Sequence, residues 1–436
     1  MRFLEAHRHV YGAVKALNLA TRSYPVEEPN NRLNLRDKGV ALKDVGKTLL
    51  PYNVPQSVQD PKGNTFVRGI AKVVPDIATM SPAKWKAKRL TYRFQGRLLK
   101  DWSNWTLLAQ LFTTEELAFF RDSQGYDDFD YYSNGLSFFD YVFLGYDESK
   151  PFYTLADGYD HLPQGMASAF AKSGGAVSLN ETLVSLQTPA SASGSFKLAF
   201  QGRDGKLASL TASRVILAIP QHAMNLVPDF AARKRFENLI SAVNAVPACK
   251  SFLLYQKPWW RDLGAEAGRS ITDMHARQFY ALGAEKDRPA SEPTNGYGLL
   301  MAYADAFQVE YWRQLVSPPR ADAQGLSWLA GNSQLAQEIH REACITYNTK
   351  APAPVAAAFQ DWTADPFGGA WHFWGRGSEP ESLGEAMLKP LPDAPLYVSN
   401  EAWAPRDQSW VQGSLERSET LLQRYFGVAA PAWLKA

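Results

Sequence analysis

Cysteine is scarce in this 436-residue sequence, which contains only Cys249 and Cys344. Two cysteines so far apart cannot build a disulfide framework or a zinc knuckle, so we interpret both as inert core thiols. The sequence also lacks any run of about 18 apolar residues, and its first residues lack the apolar core of a signal peptide. These absences predict no membrane span and favour a reducing, cytoplasmic location.

Strong charge of either sign is absent as well. The net charge is +2 and the basic residues are dispersed, which argues against a nucleic-acid surface. The sequence contains no GxSxG, HExxH, CxxC or GxxxxGKS motif, which sets aside several common hydrolase, metal and nucleotide chemistries. His7 and His9 lie two residues apart on a predicted helix and face different sides. We therefore predict no metal site and expect ordinary surface roles for both.

Aromatic residues are abundant. They make up 13% of the chain, including 13 Trp and 19 Tyr, and such residues fill cores or line pockets for flat ligands. The length predicts two domains, either sequential or interleaved, and the proportions of 45% hydrophobic and 21% charged residues are those of a globular protein.

Periodicity gives a coarse secondary structure. Residues 3–17 have helical spacing, 26–60 suggest short strands and turns, and 66–148 are predominantly helical around an acidic, aromatic stretch at 126–132 that we interpret as a solvated loop. Strands are predicted at 176–186, 214–220, 250–256, 297–303 and 396–400, and the run 214–220 is continuously apolar. Residues 196–200 and 206–210 are predicted to form a hairpin. Helices are predicted at 333–347 and 409–426, and residues 351–358 (APAPVAAA) as a connector.

Seven segments carry a resemblance, each weak alone but together in a consistent order. They are DGYDHLPQGMASAF (157–170), SLNETLVSLQ (178–187), ASRVILAIP (212–220), CKSFLLYQKPWW (249–260), LLMAYADA (299–306), DWTADPFGGAWHFW (361–374) and YVSNEAWAPRDQSWVQGSLERSETLLQRYF (397–426). In this order they resemble the flavin-dependent amine oxidase family, L-amino-acid-oxidase type. The resemblance spans nearly the whole chain.

The resemblance implies an α/β fold with a flavin domain of the two-dinucleotide-binding-fold class, incomplete at its N-terminus. That domain would comprise residues 1–25, 151–220 and 391–436. It would be interleaved with a mixed-sheet substrate domain, 26–65 and 221–390, and a helical insertion, 66–150.

The implied cofactor is FAD, with the contacts carried over residue by residue. The strand containing Val184 resembles the one whose backbone holds the adenine end, and Ala218 lies on the next flavin-domain strand. Glu401 resembles an acid near the ribityl chain and phosphates, although an exposed loop acid is the alternative. Val411 and Gln412 would offer backbone N–H groups to the flavin pyrimidine ring at a helix N-terminus.

The resemblance also implies catalytic and substrate-binding residues. Lys250 matches a lysine that holds a water against flavin N5, with a solvent-reaching lysine as the alternative. Trp410 would form an aromatic wall of the substrate pocket. Arg2 and Tyr303 would bind the substrate carboxylate, although at position 2 we expect a frayed terminus. Trp371 and His372 fall where the family varies its substrate pocket. A core role remains the alternative for Trp410 and Tyr303, and a structural role remains the alternative for His372.

Three departures from the family pattern stand out. No GxGxxG turn, which would let backbone N–H groups approach the FAD pyrophosphate, occurs in the sequence. Asn400 and Ser409 replace glycines that precede Glu401 and Trp410 in the family, so their side chains could crowd the cofactor. We therefore expect this chain alone to retain little or no FAD.

The implied reaction is oxidation of a primary amine, most directly a bulky or aromatic L-amino acid, by O2. The products would be a 2-oxo acid, ammonia and hydrogen peroxide, and a homodimer is one possible assembly. Two other functions remain open: an oxidative decarboxylase or monooxygenase on the same scaffold, and a cofactor-free remnant that acts as a binding protein.

Overall fold

The computed structural model of the chain describes residues 2–59, 64–76, 79–127, 133–140, 151–189, 194–282, 296–316, 326–364 and 368–435. The chain divides into two compact units. Unit 1 comprises Met1–Ser23, Asp140–Ala245 and Asp365–Ala436, and unit 2 comprises Tyr24–Phe139 and Val246–Ala364. Both units are therefore assembled from segments far apart in the sequence.

The strands are numbered in chain order over the described residues. They are β1 (Thr21–Tyr24), β2 (Arg32–Leu35), β3 (Lys38–Ala41), β4 (Arg93–Phe94), β5 (Arg97–Leu98), β6 (Phe152–Leu155), β7 (Glu181–Gln187), β8 (Phe196–Gly202), β9 (Leu207–Ala212), β10 (Val215–Leu217), β11 (Val243–Val246), β12 (Ala248–Tyr255), β13 (Arg269–Thr272), β14 (Gln278–Leu282), β15 (Gly298–Asp305), β16 (Leu326–Ala330), β17 (Ala356–Asp361), β18 (Trp371–Trp374) and β19 (Leu396–Val398).

The α-helices are numbered in the same way. They are α1 (Arg8–Ala16), α2 (Asn64–Val73), α3 (Pro82–Lys88), α4 (Asn104–Leu111), α5 (Thr114–Gln124), α6 (Gly135–Asp140), α7 (His161–Lys172), α8 (Gln221–Asn225), α9 (Glu237–Ile240), α10 (Gln308–Gln314), α11 (Gln334–Tyr347), α12 (Pro380–Leu388), α13 (Val411–Phe426) and α14 (Ala432–Lys435).

Unit 2 is built on a mixed eight-stranded sheet in the order β16-β17-β12-β15-β14-β13-β2-β3. One face of its central strands is fully buried: Cys249, Leu253, Leu300 and Ala302 pack in one hydrophobic cluster with residues of α10 and α11. The alternate residues of β12 and β15 are half-buried. The sheet thus has one core face and one partly open face.

Helices α2–α6 belong to unit 2 and follow local signals that the sequence provides. The clearest is α5, where Thr113 and Glu116 form a reciprocal capping box and Gly125 ends the helix in the left-handed conformation. Helix α11 begins at the Ser333 cap and ends at Asn348, which has a φ of 50°. The predicted helical region at 66–148 is therefore helical where the structure describes it, with a short β4–β5 hairpin between helices.

Unit 1 contains one three-stranded sheet, β7-β8-β9, and three two-stranded pairs, β1-β6, β10-β19 and β11-β18, among the described residues. The predicted hairpin at 196–210 is confirmed as β8 and β9. The apolar run 214–220 forms a strand only at Val215–Leu217, which pairs in parallel with β19. A continuously apolar run suggests a strand buried on both faces, but Ile216 is 40% exposed while Val215 and Leu217 face the core.

Three other expectations need correction. The N-terminus is not frayed, because Phe3 is buried and exchanges two backbone hydrogen bonds with Tyr153. The connector at 351–358 ends early, since Ala356 begins the inner strand β17. The acidic stretch at 126–132 is not a solvated loop where it is described: Asp127 is 2% exposed and pairs with Arg277 at 3.2 Å. Residues 128–132 lie outside the described ranges.

Candidate functional site

The parallel pair β10–β19 provides the starting point for a site in unit 1. The two strands run in register from Val215 opposite Leu396 to Leu217 opposite Val398, and the N–H of Ser399 donates to the Leu217 carbonyl. Ligands of open α/β sheets bind outside the carboxyl ends of the parallel strands. The residues that leave these ends, Ala218–Pro220 and Ser399–Glu401, therefore mark the edge at which a ligand is expected.

Glu401 and His372 form a tight pair beside this edge. The Nδ1 atom of His372 lies 2.7 Å from Oε1 of Glu401, and the imidazole is fully buried. The second carboxylate oxygen of Glu401 accepts the backbone N–H of Ser409 at 2.8 Å, and the Ser409 hydroxyl donates to the His372 carbonyl. Strand β18 and the segment 401–409 are thus joined in one cluster, which we call the His372–Glu401 cluster.

Trp374 and Gln408 hold β18 in place next to this cluster. The indole N–H of Trp374 donates to the carbonyl of Ala404, and the Trp374 backbone N–H donates to the side chain of Gln408. Because residues two apart on a strand share a face, Trp374 anchors the same side of β18 that carries His372. A purely structural role explains only one nitrogen of His372. Its Nδ1 is hydrogen-bonded, but its buried Nε2 has no hydrogen-bond partner among the described residues.

Trp371 lies on the opposite face of β18 from His372. It packs with Phe373, their ring centroids 5.6 Å apart, and both side chains are only partly buried. Since neighbouring residues of a strand point to opposite sides, Trp371 and His372 do not line one pocket wall together. The sequence had placed both residues in the substrate pocket. The residues of the adjoining motif at 365–367 lie outside the described part of the chain.

Helix α13 begins at the His372–Glu401 cluster. Trp410 is its N-cap residue and supplies no side-chain cap, because an indole has no hydrogen-bond acceptor. The N–H groups of Val411 and Gln412 are in the first turn, at the positive end of the helix dipole. The sequence predicts that this helix starts at about residue 409, which is close to its observed start at Val411. The shorter α14 follows it, so α13 is not the last helix.

The two glycine replacements have different structural meanings. Ser409 has a φ of 69°, a left-handed conformation that glycine adopts without steric penalty. Asn400 has a φ of −155°, so its backbone does not need glycine, and its side chain accepts the N–H of Ala402. Both side chains make hydrogen bonds within unit 1: the Ser409 hydroxyl donates to the His372 carbonyl.

The side chain of Gln412 is hydrogen-bonded to the start of helix α1. Its Oε1 atom accepts the backbone N–H groups of His9 and Val10, and its Nε2 lies 2.9 Å from Nδ1 of His9. This amide therefore caps the first turn of α1. His9 is further held by Glu419 at 2.7 Å. Of Gln412, only the backbone N–H is left for the flavin contact expected from the sequence.

His7 contacts Trp410 directly, with ring centroids 4.9 Å apart. It is 4% exposed, and this burial lowers its pKa to about 4. The expected surface role was therefore wrong. A neutral imidazole against one face of the indole restricts how Trp410 can rotate. Sequence reasoning missed His7 because only its alternation with His9 was considered, and nothing local marks its partner at position 410.

Arg2 lies over the ring of Phe152, with its guanidinium carbon 5.0 Å from the ring centroid. The neighbouring Phe3–Tyr153 bridge fixes the backbone at this point. An arginine that binds a carboxylate through two parallel hydrogen bonds has to be held in this way. The backbone next to Arg2 is thus fixed by the Phe3–Tyr153 bridge.

The two strand positions assigned to the cofactor differ in setting. Ala218 is exposed at the carboxyl end of β10, on the same side as Ile216. Val184 lies at a bulge of β7, where the pairing with β8 shifts between Leu183 and Ser185. Its carbonyl accepts the N–H of Asp229 at 3.4 Å. Backbone groups at a bulge leave the regular ladder, which suits a contact through the main chain.

In unit 2, Lys250 and Tyr303 come together. They are directly opposed on the antiparallel strands β12 and β15, so their side chains share the half-buried face of the sheet. Gln360 on β17 and Gln278 on β14 continue the same row. The ammonium of Lys250 also lies over the ring of Trp362, 5.1 Å from its centroid. The structure therefore places a polar row across four strands, which the sequence did not reveal.

Tyr126 packs edge-on against Tyr303 with ring centroids 5.9 Å apart. The next residue, Asp127, is anchored by three buried groups. Its carboxylate forms an ion pair with Arg277 and accepts a hydrogen bond from Gln308, and its N–H donates to Asp305. Buried charges persist when they are paired and hydrogen-bonded in this way. This buried network fixes the position of Tyr126 beside Tyr303.

A model of the flavin-containing amine oxidoreductases matches residues 1–419. The chain belongs to this family. Its relatives include achacin of Lissachatina fulica, 24% identical over 98% of this chain and 82% of achacin, and an L-amino-acid oxidase of Echis ocellatus, 25% identical over 70% of this chain and 56% of the oxidase.

Solved structures of flavin amine oxidases share the fold. Cyclohexylamine oxidase from Brevibacterium oxydans IH-35A superimposes with a TM-score of 0.65 at 15% identity, covering 97% of this chain and 87% of the other. A putrescine oxidase variant gives 0.63 at 14% identity, covering 97% and 86%. At such identities the similarity establishes the α/β fold of a flavin domain with a substrate domain.

The residues of unit 1 fit a flavin on structural grounds. The His372–Glu401 cluster leaves one buried nitrogen, Nε2 of His372, without a partner in the described chain. The first turn of α13 carries no side-chain cap. Both lie beside the carboxyl ends of β10 and β19.

Across the described ranges, every helix falls short of the length and hydropathy that a bilayer span requires.

Proposed function

We propose that this protein oxidises the α-amino group of a bulky or aromatic L-amino acid, with FAD as its cofactor and O2 as the electron acceptor. The amino acid loses two electrons and two protons to give an imino acid, and water converts this to a 2-oxo acid and ammonia. O2 takes up the electrons and protons as hydrogen peroxide. The observation that carries the proposal is the uncapped start of α13 at the His372–Glu401 cluster, in a chain matched by the family over residues 1–419.

FAD, when bound, accepts the hydride of the substrate α-carbon and passes electrons to O2. The N–H groups of Val411 and Gln412 would stabilise negative charge on the pyrimidine ring, because the helix dipole is positive at this end. Ala218 and Glu401 would bind beside them, and Val184 would bind the adenine through its backbone. These roles rest on the resemblance and on the position of each residue.

Substrate binding is proposed for Arg2, Trp371 and Trp410 in unit 1. The planar guanidinium of Arg2 suits two parallel hydrogen bonds to a carboxylate, and it lies over the ring of Phe152. Trp410, held by His7, offers an aromatic surface. Trp371 and its neighbour Phe373 offer another. Flat aromatic walls favour large apolar side chains on the substrate, and an L-amino-acid oxidase among the relatives favours an amino acid over a simple amine.

In unit 2, Tyr303 would donate its hydroxyl to the substrate carboxylate, and Lys250 would hold a water for the reaction with O2. Their opposed positions on β12 and β15 support a joint role. We also propose a cytoplasmic location, because both cysteines are free thiols.

Because the chain alone is expected to retain little FAD, the test is a peroxide assay on the full chain with FAD added in excess, using L-phenylalanine, L-tryptophan, their D-enantiomers and the matching amines. We expect peroxide and the 2-oxo acid from the L-amino acids. Mass spectrometry of the products separates the related chemistries, since a monooxygenase would give an amide. Failure of every substrate to give peroxide, or formation of an amide, would overturn the proposal.

A further inference from the structure

The imidazole of His372 is held at one nitrogen only. Its Nδ1 lies 2.7 Å from the carboxylate of Glu401, which can only accept, so Nδ1 carries the proton. Its Nε2 is buried and has no partner among the described residues. In the tautomer with the proton on Nδ1, Nε2 presents a lone pair that can accept a hydrogen bond from a donor.

The surroundings of this nitrogen point to a ligand. Pro220, which leaves the carboxyl end of β10, is close to the ring edge: a Cβ placed on Gly369 would be 2.6 Å from Cβ of Pro220 and 3.7 Å from Cε1 of His372. Glu401 leaves the neighbouring β19. The unsatisfied Nε2 is thus located where open α/β sheets bind their ligands.

Glu401 accepts one hydrogen bond at each carboxylate oxygen, from His372 at one and from the N–H of Ser409 at the other. The acid therefore orients the imidazole, in the way that a carboxylate orients a histidine next to a metal or a nucleophile. The group that reaches beyond the cluster is the histidine.

We propose that Nε2 of His372 accepts a hydrogen bond from a hydroxyl of the ribityl chain of the bound flavin, with Glu401 as the residue that positions it. The chemistry of the acceptor selects the donor. A phosphate offers only acceptors to a lone pair, whereas a ribityl chain offers hydroxyl donors. This inference rests on the proposed flavin-dependent function, and it assigns to His372 a cofactor contact in place of the substrate contact expected from the sequence.

Flavin binding to the full chain tests the proposal without any measurement of turnover. Riboflavin carries the ribityl chain without phosphates, and lumiflavin carries the ring alone. Titration of each, followed by flavin fluorescence, gives dissociation constants for the wild type, His372→Leu and His372→Gln. Leucine removes the acceptor, and glutamine restores one near the position of Nε2.

We expect His372→Leu to weaken riboflavin and FAD about tenfold, the effect of one lost hydrogen bond. Lumiflavin binding should be unchanged, and His372→Gln should recover most of the affinity. Thermal unfolding without flavin shows whether each variant folds. If leucine causes a loss of stability, the glutamine variant and the ratio of riboflavin to lumiflavin affinity still decide the question.

The possible failures are distinguishable. Equal losses for lumiflavin and riboflavin, or no loss for either, would overturn the role of His372 and leave the proposed function intact. Flavin binding that depends on His372, together with no peroxide from any amine, would overturn the proposed function alone. Absence of binding of every flavin by the wild type would overturn both.

Discussion

Lys250 and Tyr303 face each other across β12 and β15, with their side chains on the half-buried face of the central sheet of unit 2. Their sequence positions are 53 residues apart (303 − 250), and each was selected for a different task. Cross-strand neighbours in this register are close enough to influence each other directly. Because the two residues are this close, their proposed roles, reaction with O2 for Lys250 and substrate binding for Tyr303, have to be measured separately.

Lys250→Met should slow the reaction of the reduced enzyme with O2 by about 100-fold, because a positive charge that stabilises developing negative charge is lost. Substrate binding should be spared. Stopped-flow measurement with added FAD separates the two half-reactions. A raised substrate dissociation constant with an unchanged oxidative half-reaction would place the function of Lys250 elsewhere.

Arg2→Ala should reduce kcat/KM for an L-amino acid more than Tyr303→Phe does. Each charge-assisted hydrogen bond is worth about 1.5–3 kcal/mol, so loss of two bonds from the fork should lower kcat/KM by roughly 100-fold or more, and loss of one hydroxyl by roughly tenfold. Arg2→Lys should not restore full activity, because an ammonium lacks the planar pair of donors.

The matched control for these variants is the decarboxylated amine of the same substrate. The amine lacks the group that Arg2 and Tyr303 are proposed to bind, so its kcat/KM should fall less in each variant. Equal losses for amino acid and amine would show that neither residue recognises the carboxylate. The substrate class would then reduce to a general amine.

His7 should make the protein acid-sensitive. Burial lowers its pKa from 6.5 to about 4, so the unfolded chain takes up a proton at a higher pH than the folded chain does. Stability is then lost as the pH falls below 6.5, by about 2 kcal/mol between pH 7 and pH 5. Denaturant unfolding at both pH values measures this. His7→Gln, which cannot be protonated, should remove that part of the slope; an identical slope in both proteins would contradict the burial of a neutral ring.

Glu342 should act in the opposite direction. Burial raises its pKa to about 7, so its contribution to stability is full below 4.5 and is lost as the pH rises through 7. Glu342→Gln keeps an oxygen for the N–H of Ala276, which Glu342 accepts at 2.7 Å. The variant should be more stable than the wild type by about 3 kcal/mol at pH 8 and equal to it at pH 4.

Exposed Glu310 offers a control for the Glu342 substitution. Its side chain is 59% exposed in an ion pair with Arg313, so Glu310→Gln should change the free energy of unfolding by less than about 1 kcal/mol at either pH. A similar gain at pH 8 in both variants would show a general charge effect and exclude a specific effect of burial.

Local signals in the sequence predicted much of the secondary structure. Strand β15, the β8–β9 hairpin and helix α11 follow from apolar spacing, a GRDG turn and the Ser333 cap. The failures have a common physical cause. Burial of Ile216 depends on what covers one face of β10, and the depth of His7 and Asp127 depends on partners at Trp410 and Arg277. Periodicity within one segment cannot supply such distant partners.

The candidate site likewise has features that the sequence predicts and features that only the fold shows. The family resemblance led to Glu401, Trp410 and His372, but only the fold shows that a carboxylate fixes the imidazole and leaves one nitrogen unsatisfied. The left-handed φ of Ser409 could be anticipated from the glycine that it replaces. The row from Gln360 to Gln278 could not, because it depends on strand order and register in the eight-stranded sheet.

The capping of α1 by Gln412 has a consequence for biosynthesis. The N–H groups of His9 and Val10 wait for an acceptor that is 403 and 402 residues later in the chain. At about 5–20 residues per second, a ribosome needs roughly 20–80 s to reach it. Helix α1 can thus be completed only after residue 412 has been synthesised, and until then Val10 and Val14 also lack the apolar cover that Val411 and Leu415 provide.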